Sequence, residues 1–122
     1  MKIVSYILAL IMLASAAAHI VSPENYVALI PDFFPKNVAN ILAAISETGI
    51  GLLLIVPKYR KIGGLVFMLL MLAFMPLHIM DALKEQPAIG SKNTAFMRIG
   101  IQIILIFLGC RIFKTTPPKL NS

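Results

Sequence analysis

The sequence predicts an all-α integral membrane protein, a four-helix bundle with both chain ends in the cytoplasm. Three observations predict it: the composition, the presence of four long apolar segments, and the placement of basic residues between them. Hydrophobic residues make up 59% of the 122 residues and charged residues 13%, and the mean hydropathy is +0.90. Soluble domains are about half apolar and about a quarter charged. The length suits a single domain over residues 1–122.

Each of the four apolar segments has the length of a membrane span, about 20 residues. They cover residues 3–21, 38–56, 62–80 and 96–113. Because lipid offers the backbone no hydrogen-bond partner, each segment is expected to be a helix. Pro35 stands just before the second helix and Pro57 ends it, while Pro76 predicts a kink inside the third. Four glycines are expected to permit close helix approach: Gly49, Gly51, Gly63 and Gly64.

Basic residues are distributed unevenly between the two sides of the predicted bundle. The side with the chain ends carries seven bases and no acid: Lys2, Lys58, Arg60, Lys61, Arg111, Lys114 and Lys119. The other side carries four bases and four acids: Lys36, Lys84, Lys92, Arg98, Glu24, Asp32, Asp81 and Glu85. Since positively charged loops stay in the cytoplasm, both termini and the turn at residues 57–61 are expected there.

The first apolar segment also has features of a secretory signal peptide. Small residues at positions 14–18 would suit a signal peptidase. However, the apolar run is longer than the about 7–15 residues of a signal-peptide core, and Lys2 is the only base before it. We therefore expect the first helix to be retained. A mature chain that starts near Ala17 or His19 by mass spectrometry would contradict this.

Each predicted helix carries polar or small residues three or four positions apart. The sets are Ser15 and His19; Asn40, Ala43, Ala44, Glu47 and Gly51; His78 and Asp81; and Arg98 and Gln102. Such spacing places each set on one face of its helix, and ionisable groups at membrane depth usually face a cavity or a partner. We therefore expect a pocket open to the outside. The candidate ligand-binding residues are His19, Glu47, His78, Asp81, Arg98 and Gln102.

Within this predicted pocket, Glu47 is expected at the floor, with histidines on the walls and Arg98 and Gln102 near the mouth. Glu47 and His78 are the candidates for acid–base chemistry. The alternative is that Glu47 pairs with Arg98 or a histidine only to hold the bundle together. The ligand spacing predicts no metal site. The bases form no contiguous patch, so no nucleic-acid partner is expected.

Three stretches, HIVSPENYVALIPDFFP, ISETGIGLLLIVPKYRKIGGL and FMPLHIMDAL, resemble the DoxX-like family of small bacterial membrane proteins. The residues that carry the resemblance are His19, Pro23, Tyr26, Pro31, Pro35, Ser46, Glu47, Gly49, Leu52, Leu53, Pro57, Arg60, Pro76 and His78. RIGIQ, from Arg98 to Gln102, resembles the R-I-x-x-Q signature of the MauE/DoxX redox-associated branch. The resemblance covers nearly the whole chain. It implies a multi-pass protein of the bacterial cytoplasmic (inner) membrane.

The resemblance favours an accessory or small subunit of a membrane redox system that offers a site for a quinone. No resident cofactor is expected. The chain has one cysteine, Cys110, and no dithiol, haem motif or phosphate loop, so electrons would pass through a partner or a bound cofactor. Two alternatives stay open: a membrane integrity or assembly protein without chemistry, or a stand-alone binder or isomerase of a lipophilic small molecule. The expected partners are the lipid bilayer, a redox-enzyme subunit and a lipophilic ligand.

Overall fold

A computed structural model describes residues 2–30, 32–84 and 91–117, apart from the side chains at positions 28 and 29. Its elements are α1 (Lys2–Val21), a 3₁₀ segment (Pro23–Leu29), α2 (Lys36–Ile55), a 3₁₀ turn (Pro57–Tyr59), α3 (Arg60–Leu83) and α4 (Lys92–Thr115). No strand occurs in these ranges. Three residues named above lie outside the described residues: Pro31, Glu85 and Lys119.

The structure confirms the all-α class and the number of helices long and apolar enough to cross a membrane, which is four in the described ranges. Each predicted apolar segment falls on one helix, and the second segment extends to Val56, which caps α2. Pro35 caps the start of α2, and Pro57 begins the turn that follows it. Pro76 lies inside α3 without ending it, since the helix continues to Leu83.

The helices pack as two hairpins, α1 with α2 and α3 with α4, joined by a smaller α2–α3 contact. The buried core lies in the half of the bundle that contains the chain ends: Leu8, Ala9, Met12, Ile50, Leu54, Phe67, Met71 and Ile112. Large apolar side chains cover the outer surface, including Leu10, which is 70% exposed, and Phe107, which is 60% exposed. So large an exposed apolar surface is expected of helices that contact lipid.

Glycines set the closest helix crossings. A Cβ atom at Gly64 would lie 2.6 Å from a side-chain carbon of α4, and one at Gly109 would lie 3.0 Å from the carbonyl oxygen of Gly64. Gly51 and Gly63 are similarly close, at 2.9 Å from α1 and 3.1 Å from α2. The expectation of a close approach was wrong for Gly49, whose Cβ would meet nothing within 4 Å.

Basic side chains tie the helices together at the end opposite the 3₁₀ segment. Lys61 Nζ donates to the carbonyl oxygens of Phe113 at 2.6 Å and Thr116 at 3.2 Å, where the end of α4 attracts a cation. The Arg60 guanidinium lies 5.2 Å from the centre of the Tyr6 ring. These contacts join α1, α3 and α4 at that end of the bundle. A space between the helices is therefore expected in the other half, next to the 3₁₀ segment.

Candidate functional site

A cavity of about 460 Å³ lies between the helices in the half of the bundle that the core does not fill. Its volume lies in the range of about 300–1,000 Å³ that is typical of small-molecule sites. All four helices and the 3₁₀ segment contribute side chains to it. The apolar wall includes Met12, Met71, Phe74, Leu77, Ile101 and Leu105, and the polar lining is Ser15, His19, Tyr26, Asn40, Glu47, His78, Arg98 and Gln102.

The Glu47 carboxylate is the most deeply buried ionisable group of this cavity, with the residue 3% exposed. Ser15 Oγ donates to its Oε1 at 3.1 Å. Its Oε2 lies 3.7 Å from Nε2 of His19. Among the described residues Oε2 accepts no hydrogen bond. A buried polar atom without a partner is costly, so Oε2 is the atom of the cavity that would gain most from a ligand.

The His19 ring is held in place on both sides. Its Nδ1 lies 2.8 Å from Oδ1 of Asn40, and Asn40 Nδ2 donates to the carbonyl oxygen of Pro23 at 3.4 Å. The ring stacks on Tyr26 with the centroids 3.8 Å apart and the planes 25° apart. Asn40 and Tyr26 therefore fix the direction in which Nε2 of His19 points, which is toward Glu47.

These hydrogen bonds also determine where protons lie. Because Asn40 donates through Nδ2 to Pro23, its Oδ1 must accept, and Nδ1 of His19 is the donor. In a neutral imidazole Nε2 then carries a lone pair, which an ionised Oε2 of Glu47 would repel. An attraction between these two atoms needs a proton on one of them. A proton on either atom would make the 3.7 Å contact between them attractive.

The opposite wall of the cavity is formed by α3 and α4, which contribute His78 and Arg98. Gln102 is 1% exposed, and its Nε2 donates to the carbonyl oxygen of Met71 at 2.9 Å. Gln102 thus joins α4 to α3 inside the bundle. It lines the cavity, as predicted, but it is buried, whereas a position near the mouth was expected. Within the described ranges no carboxylate lies within ion-pair distance of Arg98, so the partner of Glu47 is His19.

Asp81 is the one candidate residue that the structure does not bring to the cavity. It is 3% exposed, and its Oδ1 lies 3.9 Å from Nζ of Lys84. The spacing of three from His78 places it near the same helix face, but one turn further toward the end of α3. Across the described ranges, no three His, Cys, Asp or Glu side chains form a group suited to a metal ion.

Three residues of the site were not assigned a role from the sequence: Ser15, Asn40 and Tyr26. Ser15 and Asn40 had been placed on polar helix faces, and their spacings from His19 and Glu47 were the available signal. Tyr26 lies in the 3₁₀ segment, where no helical period relates it to the other residues. Its contact with His19 depends on how this segment folds back over the bundle.

No curated protein and no solved structure matches the chain, so the resemblance to the DoxX-like family stays a prediction. One family model does match, over residues 8–113, a range that includes every residue lining the cavity. On the strength of that match, which covers most of the chain, the protein belongs to the family described as Domain of unknown function (DUF8561).

Proposed function

We propose that this protein is a small subunit of a quinone-linked redox system in the bacterial inner membrane, and that its cavity binds the quinone headgroup. The observation that carries the proposal is the buried Glu47 carboxylate, whose Oε2 accepts no hydrogen bond from any residue that the structure describes and lies 3.7 Å from His19. Quinone reduction takes up protons and quinol oxidation releases them. A headgroup site therefore needs groups that hold a proton beside the bound oxygen.

The two walls of the cavity suit the two ends of such a headgroup. One oxygen would exchange a hydrogen bond with the His19–Glu47 pair, and the other would accept from His78 or Arg98 on the opposite wall. The ring would pack against apolar side chains such as Phe74. The electrons would come from a partner subunit, since the sequence has one cysteine and no haem motif or dithiol.

The proposal includes a membrane orientation in which both chain ends are cytoplasmic and the cavity opens outward. At the cavity end, Lys36 lies 3.8 Å from Asp32 and Lys84 lies 3.9 Å from Asp81, so acids offset the bases. At the other end the sequence places bases without acids. That asymmetry, together with the DoxX-like resemblance, supports the cytoplasmic placement of the basic end.

Reporter fusions test the orientation. We expect green fluorescent protein fused after the last residue to fluoresce and alkaline phosphatase at the same position to be inactive, because phosphatase folds only outside the cytoplasm. Phosphatase inserted between α1 and α2, after Asp32, should be active. The reverse pattern at the two positions would contradict the proposed orientation and turn the cavity toward the cytoplasm.

Ligand extraction tests the function. Protein purified from native membranes in mild detergent should yield quinone on organic extraction and mass spectrometry. We expect Ala43→Phe, which fills the cavity, to lower the quinone content about tenfold or more, because overpacking a filled site costs about 1–3 kcal/mol. Ala14→Phe is the matched control, since Ala14 is exposed on α1, and should retain its quinone. Phospholipid alone in the wild-type extract would contradict the proposal.

The same polar contacts favour a second function, that of an assembly or integrity protein without chemistry. The Ser15–Glu47 and His19–Asn40 hydrogen bonds both join α1 to α2. An interhelical hydrogen bond in a membrane contributes about 0.6 kcal/mol on average, whereas a carboxylate in the membrane is costly to insert. The stabilisation that helix pairing gains from Glu47 is thus small beside the cost of placing its carboxylate in the membrane. We therefore rank this function second.

A further inference from the structure

A second hollow lies between α2 and α3, next to the cavity. Its volume is about 350 Å³, and among the described residues that line it Ser46 is the only polar one. Five of its lining residues also line the cavity: Ile30, Ala39, Ala43, Phe74 and Leu77. The two spaces are therefore neighbours across a single layer of side chains. We call this hollow the α2–α3 groove.

Small side chains leave this groove open. Ala39 and Ala43 of α2 face Ala73 of α3 across it, and α2 contacts α3 much less than the helices of each hairpin contact each other. Leu42, Ser46 and Ala73 are exposed on the outer surface of the bundle. In a membrane that surface meets acyl chains, so the groove faces lipid and not water. Only the layer of shared side chains separates it from the cavity.

We propose that the α2–α3 groove is a lateral portal, which holds the hydrocarbon tail of a membrane amphiphile whose polar headgroup lies at Glu47. The inference rests on the proposed function and narrows its ligand to molecules with a long tail. The cavity, at about 460 Å³, can hold a headgroup but not a headgroup together with the whole of a long tail, so a long tail has to leave it. The groove is the adjoining apolar exit, and it shares the cavity wall at Ala43 and Phe74.

The proposed portal predicts how the binding free energy depends on the tail of the ligand. A tail that moves from the bilayer into the groove stays among hydrocarbon, so it adds little binding free energy. A blocked groove acts by steric exclusion instead, and it excludes only ligands that carry a tail. Comparing a tailed probe with its tail-less headgroup therefore separates the portal from the headgroup site.

Two independent variants block the groove from its two walls, Ala73→Trp on α3 and Ser46→Trp on α2. Neither residue lines the cavity. The probes are decylubiquinone and the same dimethoxy-methyl-benzoquinone without a tail, titrated against the full chain in lipid nanodiscs. We expect both variants to bind decylubiquinone about tenfold more weakly, equal to about 1.4 kcal/mol, and to bind the tail-less quinone as the wild type does. Ala17→Trp, at an exposed position on α1, should leave both affinities unchanged.

Each other outcome has a definite meaning. If both blocked variants bind decylubiquinone as the wild type does, the portal is wrong while quinone binding in the cavity stands. If they lose both probes equally, the groove residues shape the headgroup site and the portal is again wrong. If the wild type binds neither probe, the proposed function fails and the portal fails with it. Thermal unfolding of each variant shows that the affinities refer to folded protein.

Discussion

Glu47→Gln is expected to lower the quinone-dependent turnover of the partner complex by about 10²–10⁴-fold, the usual contribution of a general acid or base. Glutamine keeps the volume of the side chain and still accepts a hydrogen bond from Ser15 Oγ, which lies 3.1 Å from Oε1 in the wild type. It cannot take up or release a proton at the atom that faces His19. The measurement is quinone reduction in native membranes that contain the variant in place of the wild type.

Assembly of the complex should survive this substitution. An interhelical hydrogen bond in a membrane protein contributes about 0.6 kcal/mol, and the His19–Asn40 hydrogen bond at 2.8 Å remains to join α1 and α2. We expect the variant to co-purify with its partner and to unfold within a few degrees of the wild type in detergent. The matched control is Thr48→Val, the next residue of α2, which is exposed and should keep full turnover.

Two results would contradict this account of Glu47. Normal quinone reduction by the Glu47→Gln variant would show that the carboxylate takes no part in the reaction. A large fall in thermal stability, together with turnover that returns when the bundle is stabilised at a distant position, would assign Glu47 to helix pairing. That second result favours the assembly function.

The positions of the helices were predictable from the sequence because a helix that crosses a bilayer has to be predominantly apolar. A span needs a long apolar run, and four such runs, the second bounded by Pro35 and Pro57, leave few alternatives for the helix positions. The pairing of the helices was harder to predict from the sequence. Gly109 makes a close crossing that the sequence did not indicate, and Gly49 makes none, because one sequence does not show which side of a helix meets its neighbour.

The site was predictable where helical spacing determines it. Glu47 and His19 come together as expected, since each lies on the polar face of its helix at a similar depth. Asp81 does not line the cavity, and Gln102 lines it from a buried position and not near the mouth. Spacing gives a direction around the helix axis but not the identity of the contact. Asp81 lies within ion-pair distance of Lys84, and Gln102 donates a hydrogen bond to the carbonyl oxygen of Met71. Both partners depend on tertiary packing.

Gly64→Ala is expected to destabilise the bundle by about 1–3 kcal/mol, the usual cost of overpacking a close contact. The added Cβ would lie 2.6 Å from Cγ2 of Ile112 and 3.0 Å from the carbonyl oxygen of Gly109. Ile112 is fully buried, at 0% exposure, and the Gly109 oxygen belongs to the backbone, so α3 and α4 must move apart. The measurement is the midpoint of thermal unfolding in detergent.

Gly100→Ala is the matched control for this prediction. It makes the same change on α4 at a position where a Cβ meets nothing within 4 Å. Alanine is the better helix former by about 1 kcal/mol, so this variant should be neutral or more stable. Equal unfolding midpoints for Gly64→Ala and Gly100→Ala would show that the α3–α4 crossing is not as close as described.

A double-mutant cycle with Ile112→Ala assigns the effect of Gly64→Ala to the contact itself. Ile112→Ala alone should cost about 2–5 kcal/mol, because it leaves a cavity in the core, but it also removes Cγ2, the atom nearest to the new Cβ. We therefore expect the two changes to destabilise the protein by less than the sum of their separate effects. Strict additivity would mean that the contacts left in Ile112→Ala, with the Cβ of residue 112 at 2.8 Å and the Gly109 carbonyl oxygen at 3.0 Å, carry the whole effect. Since this crossing aligns α3 with α4, the same cycle measured on quinone binding shows how far the wall with His78 and Arg98 depends on it.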